Sequence, residues 1–155
     1  MSEAGDGGSR ADEPDEAHRR PAGVDDATVE ALGMLSKALE YTERARGRLY
    51  AVHQMTGGAD RMLAEAVGTL RRAGHGEQAD GVERELLGRD VVPGMWTHQL
   101  IEAYDETYYR VFTAVEERVR QDLAAGRQQV AEAEMQHAAR SRRRRPTRGR
   151  SLRGR

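Results

Sequence analysis

The sequence predicts an all-α protein: an antiparallel helical bundle of two long helices plus a short αα-hairpin, with disordered termini. Three observations carry this reading. Apolar residues recur at three- and four-residue spacing, Gly and Pro-Gly pairs punctuate the periodic runs, and no stretch shows the two-residue alternation of a strand.

Residues 1–23 combine Gly, Ser, Pro and charge with almost no large apolar side chain. Nothing there offsets the entropy of ordering, so they read as a disordered acidic segment. The helical bundle domain is expected over 24–139. Asp25 or Asp26 caps a first helix whose stripe is Val29, Leu32, Leu35, Leu39, Leu49 and Val52, with Thr42 and Ala45 or Arg46 filling its middle. That helix is expected to run to about Met55 and stop at Thr56-Gly57-Gly58, because Gly tolerates the left-handed conformation that follows a helix end.

Asp60 then opens a second helix with Met62, Leu63, Ala66, Val67 and Leu70 on one side, closed by Gly74 and Gly76. A shorter third one over 77–87 groups Ala79, Val82, Leu86 and Leu87 and ends at Gly88. So short a connection makes the pair an αα-hairpin of antiparallel neighbours. Pro93-Gly94 breaks the chain. From Thr97 a long helix follows, with Leu100, Tyr104, Tyr108, Val111, Val115, Val119 and Leu123 in one stripe and Ile101 and Phe112 broadening it. Its core-facing part is expected to end near Gly126, with Val130, Ala133 and Met135 continuing it as a thin, exposed helix to about Ala139. If the long helices run antiparallel, facing positions total about 151. His53 then lies beside His98, Tyr50 near Ile101 and Glu102, and Arg46 near Asp105.

Composition narrows the function. With no cysteine, disulfides, thiolate nucleophiles and Cys-based metal sites are excluded. No apolar run approaches the roughly 20 residues that span a bilayer, and the N-terminus lacks an apolar signal core, so a cytoplasmic location and no membrane partner are expected. Seven aromatic residues in 155 leave a thin core built from Leu, Val, Ala and Met, which favours self-association. Net charge is −1 overall, but residues 1–24 carry −3, residues 25–139 carry −7 and the tail 140–155 carries nine arginines and no acid.

Four constellations could carry function. His53 on the first helix, with His98 and Glu102 one turn apart on the last, forms a candidate metal or acid-base cluster; scattered histidines at a helix junction are otherwise structural. Glu134-Met135-Gln136-His137 has the Glu-x-x-His spacing of di-iron bundles but lacks the second copy they require, and it reads as coincidence. The tail offers Arg140, Arg142, Arg143, Arg144, Arg145, Arg148 and Arg150 as phosphate contacts; without an aromatic for base stacking, such binding would be sequence-independent. Trp96, Tyr104, Tyr108 and Phe112 are expected in the core, Trp96 pinning the Pro-Gly corner, while Tyr109 falls off the stripe and is expected exposed. No phosphate loop, catalytic triad order or zinc-protease motif is present, so no catalytic residue and no cofactor are assigned.

The segment Glu43-Arg44-Ala45-Arg46-Gly47-Arg48-Leu49-Tyr50, the run His53-Gln54-Met55-Thr56-Gly57, and Gly94-Met95-Trp96-Thr97 before Tyr104-Asp105-Glu106-Thr107-Tyr108 give the chain a resemblance over about 110 residues to a family of small uncharacterised all-helical actinobacterial proteins. The resemblance implies lineage and domain limits and brings no activity. The expected function is a non-enzymatic helical protein-protein interaction module that forms a homo-oligomer or binds a protein partner. Its rivals are a nucleic-acid-associated protein using the tail and a metal- or ligand-binding bundle.

Overall fold

The computed structural model describes residues 13–144, and within them the chain is helical with no strand. Its elements are α1 (Asp26–Arg72), α2 (Gly76–Glu85), α3 (Thr97–Tyr104), a π-helical turn (Asp105–Tyr109), α4 (Arg110–Ala124) and α5 (Val130–Arg144). The chain divides into two compact units, one of Met1–Lys37 with Val115–Arg155 and one of Ala38–Ala114. No described helix is long and apolar enough to cross a membrane.

Helix α1 is 47 residues long and passes straight through the expected stop at Thr56-Gly57-Gly58. A helical glycine costs about 1 kcal/mol relative to alanine, and adding one hydrogen bond per residue to an existing helix is far easier than nucleating a new one. Two glycines flanked by Met55, Ala59, Met62, Leu63 and Ala64 therefore do not end it. Asp60, expected as a cap, sits in mid-helix and accepts the Gly88 N–H at 2.7 Å. The start does match: Asp25 Oδ1 takes the Thr28 N–H at 2.8 Å. The observed end of α1 is the close expected for a separate second helix, a Schellman motif with Gly74 at φ 85° and the His75 N–H donating to the Leu70 carbonyl at 2.9 Å.

In the unit Ala38–Ala114, α1 leads through Ala73-Gly74-His75 into α2. Arg71 bridges to Asp80 at 2.8 Å and Glu83 at 2.5 Å, while Val67 and Ala79 are buried. Pro93 and Gly94 fill the centre of a tight turn closed by Met95 N–H to the Val92 carbonyl, with Gly94 at φ 75°. Because this turn is held by backbone bonds and by Asp90 on the Gly94 N–H, Trp96 is not needed to pin it. Contrary to expectation, the Trp96 ring is 72% exposed.

Helix α3 starts with the Gln99 side chain accepting the Trp96 N–H at 2.8 Å. Ile101, 1% exposed, is the most completely buried large side chain among the described residues. The π-helical turn then inserts one residue, shown by the Arg110 N–H reaching the Asp105 carbonyl five residues back. This moves the inward face on by one position. Of the expected positions, Tyr108, Val111, Val115 and Leu123 are exposed while Phe112 and Val119 are partly covered, and Tyr109, Glu116 and Ala124, outside the expected stripe, are covered as well. Val52 is likewise uncovered, because the inward line of α1 runs through Leu49, His53 and Thr56.

In the other unit, Ala125 (φ 49°) and Gly126 (φ 76°) take left-handed conformations after α4, and Arg120 Nη1 holds the Gly126 carbonyl at 2.8 Å. The chain therefore restarts as a separate α5 rather than continuing α4 as a thin exposed extension. Val130 is buried, and Gly33 lies so near α5 that a Cβ there would stand 3.0 Å from the Ala131 Cβ. Glu116, 5% exposed, accepts from Ser36 at 3.1 Å and pairs with Arg120. Residues 1–12 lie outside the described part of the expected disordered segment. Within 13–23, His18 and Asp15 close a small turn and Arg20 reaches Glu134 through two bonds of 2.6 and 2.7 Å.

Candidate interaction surface

The residues singled out in the sequence fall into separate places. His53 and His98 do meet, ring edge to face with centroids 5.3 Å apart. Each is engaged through Nδ1: His53 lies 2.8 Å from Thr97 Oγ1, and His98 lies 3.2 Å from Glu102 Oε1. Among the described residues, no three His, Asp or Glu side chains gather into a metal-holding group.

About two turns along, Arg46 grips Asp105 with a guanidinium fork, Nε to Oδ1 at 2.5 Å and Nη2 to Oδ2 at 2.8 Å. That pairing holds the Asp105 carboxyl below its ordinary range. Arg46 also lies over the rings of Tyr50 and Tyr109. Tyr109, expected exposed, is half-buried, and its hydroxyl donates to Glu43 at 3.2 Å. The Tyr104 hydroxyl donates to the Thr42 carbonyl at 3.2 Å, and burial raises its pKa. These bonds join α1 to α3 and to the π-helical turn.

Of the tail arginines, Arg140, Arg142 and Arg143 stand exposed on the last turns of α5, and Arg144 closes that helix. Arg145, Arg148 and Arg150 lie outside the described residues. Arg140 also borders a cleft of about 360 Å³ whose walls include Glu13, Asp15, His18, Glu132 and His137. Glu134, from the Glu-x-x-His stretch, is engaged by Arg20.

What composition and charge did not reveal is a face of α1 in the unit Ala38–Ala114. Ala38, Ala45, Val52, Ala59 and Ala66 recur every seventh residue, and every one is exposed. Between them, at alternating steps of three and four, come Tyr41, Arg48, Met55 and Met62, exposed as well. Tyr41, Met55 and Met62 keep 61%, 66% and 71% of their surface in water. Alternating three- and four-residue steps trace one nearly straight stripe along a helix. The signal is present in the sequence as alanine at a seven-residue period, beside the larger Leu residues of the inward face. Beyond this geometry, no protein-family model, curated protein or solved structure matches the chain.

Proposed function

We propose that the chain is a non-enzymatic helical interaction module that self-associates, its helices packing in antiparallel fashion within each copy. One observation carries the reading: large apolar side chains stand uncovered in an ordered stripe on α1, whereas only six apolar residues are buried among those described. A lone exposed methionine needs no explanation, but a periodic series of them is the pattern of an interface. The close pairs His53 with Thr97 and Arg46 with Asp105 support the antiparallel arrangement, since their numbers total about 151. Size-exclusion chromatography with light scattering tests the function. A dimer or larger species is expected at micromolar concentration, and a strict monomer overturns self-association.

A second reading has its own support, the exposed Arg140, Arg142 and Arg143 ahead of the remaining arginines of the tail. In it, the tail binds nucleic acid without sequence preference. A mobility-shift titration should then show log K falling with log salt by about 0.9 per neutralised phosphate on duplex DNA, and binding should vanish when the chain ends at Ala139. No shift at low salt would overturn this reading.

A further inference from the structure

We infer that the exposed stripe of α1 is the seat of a second copy of this chain, with the two α1 helices packed antiparallel about a two-fold axis passing near residue 50. The inference rests on the self-association reading above and specifies its surface and geometry.

The stripe has two lines with different side-chain sizes. One is small: Ala38, Ala45, Val52, Ala59 and Ala66. The other is large: Tyr41, Arg48, Met55 and Met62. Two helices meeting on such a stripe interlock side chains in successive layers, and the relative direction decides which line meets which. A parallel pair sets each line against itself. Alanine would then face alanine with space left over, methionine would crowd methionine, and Arg48 would oppose its own copy. An antiparallel pair sets small against large in every layer. With the axis near residue 50, Ala38 lies opposite Met62 of the other copy, Ala45 opposite Met55, and Ala59 opposite Tyr41. Val52 packs beside the aliphatic stem of Arg48, whose guanidinium extends to water.

Charge selects this register over its neighbour. Lys37, which precedes Ala38 and is the one lysine in the chain, comes within reach of Glu65 of the other copy, two residues past the position directly opposite it, so both ends of the stripe carry an opposite-charge pair. Sliding the helices by one heptad toward the C-terminus would bring Lys37 within reach of Arg72 instead, a like-charge contact. The alanines also allow the helix backbones to approach closely, which gives Tyr41, Met55 and Met62 full contact with the opposite helix.

The absence of cysteine makes the test clean. In the full-length chain, the double variant Ala45→Cys/Met55→Cys places its thiols about 15 Å apart along one helix, too far to join within a copy. Oxidation is expected to give a covalent dimer from the double variant and none from either single variant. A covalent dimer from Ala45→Cys alone would show parallel helices, and one from Ala45→Cys/Met62→Cys in preference would show the shifted register; either overturns the inference. Ala59→Glu, at an exposed position that leaves the fold unchanged by circular dichroism, is expected to raise the dimer dissociation constant at least about tenfold by forcing a charge into the contact. A dimer indifferent to Ala59→Glu and unlinked by the cysteine pair overturns this surface while leaving self-association standing. A wild-type monomer overturns both.

Discussion

At the residue scale, the clearest contrast is between Ile101 and Val115, two apolar positions of the same expected stripe. Ile101 is enclosed, while Val115 is 37% exposed. Ile101→Ala should cost about 2 to 5 kcal/mol, from lost transfer energy plus a cavity, whereas Val115→Ala should cost less than about 1 kcal/mol. Thermal or urea melts of the two variants decide this, and equal losses would mean that the inward face is misplaced. Asp105 gives a second expectation. Its carboxyl is held low mainly by the Arg46 hydrogen bonds, so the pair stabilises the fold above the ordinary carboxylate range and the benefit disappears as pH falls through the lowered value. Asp105→Asn should therefore melt below wild type at pH 7, and the gap should close once the pH is well under about 4. A gap that persists unchanged into strong acid would exclude the ion pair as its source.

At the element scale, the π-helical turn is what separates α3 and α4 from one regular α-helix. Since Asp105–Tyr109 holds one residue more than an α-helix would, deleting the exposed Thr107 should let α3 and α4 fuse into one regular helix with the same residues facing inward. Helicity by circular dichroism should be retained. Deleting Glu117, an exposed residue inside α4, should instead rotate everything after it and lower the melting temperature sharply. Similar losses from both deletions would rule out the inserted-residue account. This turn also explains which parts of the fold could be read from the sequence. The local signals gave the N-terminal cap of α1 at Asp25 or Asp26, a helix end at Gly74, though assigned to a separate second helix, and the start of α3 at Thr97. The periodic spacing gave the Arg46–Asp105 and His53–His98 neighbours too, because both lie before the inserted residue takes effect. From Tyr108 on the expected face holds only at Phe112 and Val119, since apolar spacing alone does not encode a five-residue hydrogen bond. Gly57-Gly58 misled for a related reason: glycine permits a helix end but does not enforce one when good helix formers flank it. The exposed stripe is hard to read from the sequence because alanine is small enough to pass as filler.

For the whole molecule, the balance between covered and uncovered apolar surface governs behaviour. If copies associate through their folded form, mass action ties stability to concentration, and the melting temperature should rise as the protein is concentrated from micromolar upward. A melting temperature independent of concentration over that range would argue for a monomer. Within this picture, the glycine pair in the middle of α1 acquires a meaning apart from where helices stop. Gly57 and Gly58 give up the most backbone entropy on folding and bring no side chain to hold neighbouring turns together, so the helix is thermodynamically weakest there although it is structurally continuous. In deuterium exchange, α1 should behave as two protected stretches separated by a fast-exchanging centre. Because Met55 and Ala59 bracket that centre on the stripe, the rate at which it takes up deuterium becomes a meter of whether a second helix is lying against it.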